Sequence, residues 1–566
     1  MQFGRLGAAF VRSLALVLPL GLILRQTPAQ GAFSPSAEGA TVAAATDHQE
    51  ATMAALEAMG QGGNAIDGAI AAALVLGVAS PSGSGLGGGG FALVYSARDK
   101  KVTAVDFRET APAALDAEKL TSTKGPGRGA AVGVPGEPAG LEWLQKRFAK
   151  RSLADDAKRA VTLAEDGVYV SRHLADMTQK SGARMAPGTE LGLALLPLGR
   201  PVPFASKIRR PDLAATLKAY GREGSKVIYT GKSAELIAKT VKDAGGTMTA
   251  EDLANYKVVE RAPLMRLVEG KTVYTMPAPS AGGLMLLEAM LMHGTGPTSA
   301  LATAGMGSSG YYHLLAETMR GAIADRARLA GDPLVVPDVD TAFARALEPA
   351  QLAARKARID ANKTLAPTDF QTREQGTSHL IVADKEGNVV ALTTTVNAAF
   401  GSGLTVRGTG ILLNDELDDF SSADDVRGFG VIGLGPNRPQ PKARPVSSMT
   451  PTIITDGSGP ILAVGGSGGT RIATGVTQAV LARFLWNVDP MTAISMPRFH
   501  VGQGSGILVE RDIPDEVRKG LEARGERPVP ENGGCAIHMV AFERDGGQTR
   551  ILAGADPRKG GFAAAR

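Results

Sequence analysis

An α+β fold is permitted for this chain by three observations: short β-branched and aliphatic runs toward both ends, a series of helix-period segments between them, and an even composition. The residues are 44% hydrophobic and 21% charged over 566 positions. That balance marks a globular chain of roughly two to four domains rather than a fibrous or disordered one.

Residues 1–32 stand apart from the rest. Arg5 and Arg12 precede the apolar run from Ser13 to Leu24, and the small residues Thr27-Pro28-Ala29 follow. A charged start, an apolar run of about twelve residues and a small-x-Ala end predict a signal peptide over 1–32, whereas a membrane span needs about twenty apolar residues. The expected product is exported, periplasmic or extracellular, with Arg25 leaving an uncleaved anchor open. The formal charge of +5 includes Arg5, Arg12 and Arg25 and no acid before Ala32, so the remainder carries 5 − 3 = +2. Without a basic run, no nucleic-acid partner is expected. Cys535 is the single cysteine, which excludes an internal disulfide and a cysteine-based metal cluster. No metal and no cofactor are expected.

Apolar residues recur at helical spacing from Glu50, and the Ala-rich stretch Ala65 to Val78 continues as a helix suited to close burial. In the following Ser80 to Gly90, Gly83, Gly85 and Gly88 match GxGxxG. A helix precedes and a strand follows, the reverse of a dinucleotide site, so these glycines are read as permitting close backbone approach around a buried site. Phe91 to Tyr95 and Val102 to Phe107 read as strands, and Arg108 follows in Asp106-Phe107-Arg108-Glu109. Residues 125–330 read as successive helices, at Pro138–Ala149, Ala154–Asp166, Asp212–Tyr220, Ala234–Ala244, Gly282–His293 and Tyr311–Ala330, with strand-like Lys271–Met276 before the last two. The polar, proline-bearing stretch 331–373 reads as an accessible linker.

The next stretch organises the chain. Glu374 to Asp384 and Asn388 to Asn397 are separated by Lys385-Glu386-Gly387, a hairpin whose glycine supplies positive φ. If 384 pairs with 388, Thr377 faces Thr395, with Cβ atoms about 5 Å apart and the hydroxyls within bonding reach. Taken alone, such a pair is an ordinary sheet contact. Further on, the strand-like Ile461 to Val464 leads through Gly465-Gly466-Ser467-Gly468-Gly469-Thr470 into an amphipathic helix from Arg471 to Trp486. That order aims backbone N–H groups at a helix start, where developing negative charge is favoured.

The run Gly376-Thr377-Ser378-His379, then Asp384 to Asn388, Thr393-Thr394-Thr395-Val396-Asn397, Phe400-Gly401-Ser402-Gly403 and Gly410 to Ser421 resembles the start of the small subunit of γ-glutamyltranspeptidases, also called glutathione hydrolases. The likeness extends in order from about Asp47 to Pro557. It implies a four-layer αββα sandwich of the N-terminal-nucleophile hydrolase kind, made as one precursor that cuts itself between Gly376 and Thr377. The large subunit would then be 33–376 and the small catalytic subunit 377–566, held as a heterodimer. By the same resemblance Thr377 is the nucleophile, Thr395 orients it, and Gly468 and Gly469 form the oxyanion hole. Arg108, Ser447 and Ser448 would hold the substrate α-carboxylate, and Asn397, Glu416 and Asp419 its α-ammonium. The implied substrates are glutathione or other γ-glutamyl compounds, with water or an amino acid or peptide as acceptor. The sequence departs from the family's usual pattern at Ser378, at Gly466-Ser467, and in the segment 424–440, where Phe429 stands for the usual tyrosine of an active-site lid. Relatives on this scaffold also process cephalosporin side chains or polyglutamate. His379 reads as a packed neighbour of Thr377 rather than a base.

Two rival readings remain at this stage. Gly465 to Gly469 matches G-x-S-x-G, with Asp489 and His500 following in serine-hydrolase order. A noncatalytic exported binding protein that keeps the pocket but stays in one piece is the other.

Overall fold

The computed structural model describes residues 35–122, 128–365, 376–422, 433–501, 506–531 and 533–566. The signal-peptide expectation for 1–32 and the lid residue Phe429 lie outside them. In chain order the strands of the two large sheets are β1 (Ser36–Gly39), β2 (Ala43–Thr46), β3 (Gly89–Ser96), β4 (Lys101–Phe107), β5 (Val259–Arg261), β6 (Leu264–Val268), β7 (Lys271–Thr275), β8 (Gly376–Ala383), β9 (Val389–Asn397), β10 (Thr452–Asp456), β11 (Gly459–Ser467), β12 (Ala536–Asp545), β13 (Gln548–Ala555) and β14 (Phe562–Ala565). One seven-stranded sheet runs β14-β2-β8-β9-β3-β4-β5 and the other β1-β13-β12-β11-β10-β7-β6.

Side-chain alternation along β8 and β9 fixes the layering, because successive residues point to opposite faces. Ile381, Ala383, Val389 and Ala391 pack into one core with Ile453, Ala463 and Val464 of the second sheet. Their neighbours Leu380, Val382, Val390 and Leu392 pack into another with the helices α1 (Gln49–Gly60) and α2 (Ala65–Ala79). On the far side, α6 (Gly282–His293) and α8 (Arg471–Trp486) pack on each other, and α8 packs on β11 and β12. Between these in sequence come α3 (Glu137–Phe148), α4 (Leu153–Asp166), α5 (Arg172–Ser181) and, after α6, α7 (Ser309–Leu329). The order helix, sheet, sheet, helix is the expected α+β sandwich.

The start of α2 is set by a capping box: Asn64 Oδ1 accepts from Ile66 and Asp67 N–H, and Asp67 Oδ2 accepts from Asn64 N–H at 2.7 Å. The helix has small residues on every side and is buried throughout, which lets it reach the glycine run after it. A Cβ on Gly77 would stand 2.9 Å from Gly85 Cα, and one on Gly83 would stand 3.1 Å from Thr377 O. The glycines therefore bring backbone against the start of β8 at Thr377, the close approach that the sequence suggests.

Two expectations are corrected. The stretch read as a linker holds helices at Val339–Ala346 and Pro349–Lys356; Val339, Phe343 and Leu347 recur at i, i+4 and i+8 and are buried. Short apolar stripes interrupted by prolines fold only because tertiary burial supports them. Residues 366–373 of that stretch are outside the described residues. The region read as helical also contains β5 and β6, edge strands that are short and partly exposed; in β6 apolar residues stand on both faces, at Leu264, Met265, Leu267 and Val268, so the sequence shows no period of two. Among the described residues, no helix is long and apolar enough to cross a membrane.

Candidate active site

The hairpin register expected from the sequence is the one found: Thr377 pairs with Thr395, and Ala383 with Val389. A register shift between Gly376 and Thr377 sets Gly376 opposite Asn397. Thr377 Oγ lies 3.2 Å from Thr395 Oγ. Thr395 Oγ donates to the carbonyl oxygen of Gly376 at 2.8 Å and accepts from Asn397 N–H at 2.9 Å. With the single Thr395 proton committed to Gly376 O, the Thr377 hydroxyl must be the donor in the pair. Thr377 Oγ, Thr395 Oγ and the Gly376 carbonyl are thus wired in one direction.

On the facing sheet, β11 ends at Ser467 and the chain turns through Gly468 and Gly469, at φ 134° and 62°, into α8. A side chain on Gly468 would meet Gly534 O at 2.5 Å, so both conformation and space demand glycine. No side chain caps the start of α8. Gly469 and Thr470 border a cavity of about 10 Å³ together with Thr377, Arg108, Ser447 and Ser448. Arg326 of α7 borders it as well, a residue the sequence does not single out.

Arg108 projects from the end of β4 and is buried. Its Nε donates to Pro445 O at 3.1 Å, and Nη2 to Val446 O at 3.1 Å and Asp419 Oδ2 at 2.7 Å. Its Nη1 makes a close ion pair with Glu416. The residues assigned to the two ends of a zwitterion are therefore paired with each other in the uncut chain. Asn397 adopts a left-handed φ of 71° and donates from Nδ2 to Asp415 O at 2.9 Å. Its Oδ1, Glu416 Oε2 and both oxygens of Glu109 are buried with no hydrogen-bond partner among the described residues. Ser447 Oγ accepts from Met449 N–H at 3.0 Å, and the Ser447 backbone is tied to the Pro277–Gly283 loop through Pro279 O.

Burial dominates the electrostatics here. It pushes Glu109 up to about 8 against the pull of Arg108, and Glu137 and Asp415 up to about 7. Burial also raises Glu416, against Arg108 and with the neighbouring Glu109, Asp419 and Asp415 adding to the rise. His379 is fully buried, bonded through Nδ1 to Thr393 Oγ at 2.8 Å, and depressed by burial to about 3. Its ring lies where a Cβ on Gly465 would sit, 2.2 Å from Cε1. It packs, and supplies no base.

The serine-hydrolase constellation is not assembled. Ser467 is bonded to Asp47 and Lys559, His500 to Thr474, and Asp489 caps the helix Pro490–Ser495 through Thr492. Asp47 and Lys559 are further residues that the sequence does not mark. Both border a second cavity of about 210 Å³ on the Gly376 side of Thr377, beside His173, Lys180 and Arg184. Lys559 Nζ donates to Thr377 O at 3.3 Å.

A family model described as gamma-glutamyltranspeptidase matches residues 51–566. The chain is 34% identical to glutathione hydrolase 2 of Arabidopsis thaliana over 92% of its own length and 93% of the relative's. It is 32% identical to the glutathione hydrolase proenzyme of Escherichia coli (strain K12), over 90% and 89%. Among solved structures, cephalosporin acylase from Bacillus halodurans shares the fold at a TM-score of 0.83 and 24% identity, covering 96% of this chain and 98% of that one. The γ-glutamyltranspeptidase of Helicobacter pylori matches at a TM-score of 0.51 and 31% identity, over 56% and 91%.

Proposed function

Because the chain belongs to the γ-glutamyltranspeptidase family, we propose that it cuts itself before Thr377 and then cleaves γ-glutamyl amide bonds, glutathione among them, through a γ-glutamyl ester on Thr377. The observation that carries this reading is the directed chain from Thr377 Oγ to Thr395 Oγ to Gly376 O.

In the first reaction Thr377 Oγ attacks the carbonyl carbon of Gly376. The oxygen that gains charge is the one already holding the Thr395 proton, and Thr395 Oγ is placed to accept the proton leaving Thr377. The Gly376–Thr377 C–N bond breaks, the amide nitrogen leaves as an amine, and water hydrolyses the ester to free the Gly376 carboxylate. The new α-amine, with an ordinary pKa of about 8, is partly unprotonated at neutral pH and acts as general base for its own hydroxyl. The second reaction repeats the attack on a substrate γ-carbonyl. Its oxyanion is received by the N–H groups of Gly468 and Gly469, and water or an amine takes the glutamyl group.

The paired charges beside Thr377 support recognition of an amino-acid end. A zwitterion inserts into the existing ion pairs without changing the net charge: its carboxylate takes the Arg108 fork with Ser447 and Ser448. Its ammonium takes Asp419 and the two unpartnered acceptors, Glu416 Oε2 and Asn397 Oδ1. Export after removal of residues 1–32, and two products spanning 33–376 and 377–566 that stay together as a heterodimer, complete the proposal.

A denaturing gel with N-terminal sequencing of the purified protein tests it. The expected result is two bands, one beginning at Thr377, and release of glutamate from glutathione. Thr377→Ala should stay in one piece and lose activity by more than about 10⁴-fold, the scale for loss of a nucleophile. A one-piece wild-type protein that turns over glutathione, or an active Thr377→Ala, overturns the reading.

A further inference from the structure

Thr377 becomes a chain end after cleavage, and chain ends fray unless something ties them down. The ties in this structure converge on one carboxylate from the other piece of the chain. Asp47, at the end of β2, is buried and accepts from His379 N–H through Oδ2 at 2.9 Å. Its Oδ1 faces His538 Nε2 at 3.0 Å and Ser467 Oγ at 3.3 Å. His538 Nδ1 accepts from Asp556 N–H at 3.3 Å, so that ring donates to Asp47 from Nε2. Lys559 Nζ donates to Ser467 Oγ at 3.0 Å and to Thr377 O at 3.3 Å, which turns the Ser467 proton toward Asp47.

These contacts close a ring from Asp47 through Ser467, Lys559 and the Thr377 carbonyl, then two residues along β8 to His379 N–H and back to Asp47. One arm ends on the backbone of the nucleophile strand. The other ends on Ser467, the residue immediately before Gly468 and Gly469. We propose that Asp47 is a positioning residue that sets the spacing between the cut strand end and the oxyanion turn, acting across the cleavage boundary.

A carboxylate suits this post because all three neighbours are donors, and an ionised carboxylate accepts on both oxygens. Burial alone would raise the Asp47 carboxyl. Its interactions with His538, the Lys559 charge and the hydrogen bond from His379 N–H more than offset it, and the group is held well below the usual carboxylate range. An asparagine has the same shape but turns an NH₂ toward a donor on one arm, so one arm must let go.

The inference rests on Thr377 being the nucleophile. Its test is Asp47→Asn in the full-length chain, with kcat and KM for γ-glutamyl-p-nitroanilide measured per cleaved site and the melting temperature followed alongside. The expected result is a kcat about 100-fold lower, the cost of a displacement near 1 Å at a reacting centre, with KM within about 3-fold. Ser467→Ala cuts only the oxyanion arm and should lower kcat by roughly 5- to 10-fold, again without moving KM. A wild-type kcat per cleaved site in Asp47→Asn, or a loss confined to KM or to melting temperature, overturns the inference. If Asp47→Asn arrests before cleavage, Ser467→Ala decides by the same criterion. An active Thr377→Ala would sink the nucleophile reading itself, whereas a normal Asp47→Asn beside a dead Thr377→Ala sinks only this one.

Discussion

Two buried charge clusters of similar composition sit in this molecule, one around Arg108 and one around Arg320, and they are finished differently. At Arg320, Glu526 accepts from both Arg320 and His313, Glu317 accepts from Arg320 and Leu365 N–H, and His313 bonds Glu526 and Asp360 O. Every carboxylate oxygen there has a donor, and the cluster joins α7 to the segment near Asp360 and to Glu526. At Arg108, acceptors outnumber donors: Glu109, Glu416 and Asn397 keep buried oxygens without partners among the described residues. An unmatched buried acceptor costs free energy unless a proton or a ligand donor reaches it. The contrast separates a cluster whose carboxylate oxygens are all matched from one that keeps buried acceptors open, as the proposed ammonium seat requires.

The sharpest way to break this comparison is Arg108→Lys. The charge stays, but the fork that holds Glu416, Asp419 and two carbonyls is lost. Losing two charge-assisted hydrogen bonds to substrate should lower kcat/KM by about 100- to 1,000-fold, mostly through KM, in steady-state assays with γ-glutamyl-p-nitroanilide. A change below tenfold would remove Arg108 from substrate binding.

Arg320→Met should do the opposite. Removing the partner of two buried carboxylates costs on the order of 3–5 kcal/mol of stability, read in urea unfolding, while kcat/KM per folded, cleaved molecule stays within about 2-fold. If activity falls while stability holds, the Arg320 cluster is not merely structural.

The smallest effect sharpens the pH behaviour. Burial raises Glu109 from an ordinary 4.5 to about 8, so between those values the native chain binds a proton that the unfolded chain has released. Its stabilising contribution is complete below pH 4.5 and is lost as pH rises through about 8. Glu109→Gln cannot titrate, so its melting temperature should fall less than wild type between pH 5 and 8, by an amount equivalent to a few kcal/mol at most. Parallel slopes would show that Glu109 is not held protonated.

Much of the fold and part of the site were legible beforehand. Thr377 opposite Thr395 followed from alternation and a glycine turn, and Gly468 and Gly469 from a strand-to-helix turn, both short-range signals. The edge strands β5 and β6 and the helices in 339–356 were not legible, because their patterns are short and gain stability from packing. Asp47, Lys559 and Arg326 were equally hidden. Asp47 reaches His379 across 332 residues, and no local pattern distinguishes it from a solvated loop acid.

By itself the sequence determined the hairpin that pairs Thr377 with Thr395 and the glycine turn at 468–469 from strand into helix, since hairpin register and turn chemistry are set by residues within about twenty positions of one another. Only the tertiary structure decided that Arg108 is already matched to Glu416 and Asp419, and that one aspartate binds both walls of the site. Those contacts join segments more than three hundred residues apart, brought together by the stacking of two sheets. Stacking is driven by apolar area, which carries no record of which polar groups will meet above it.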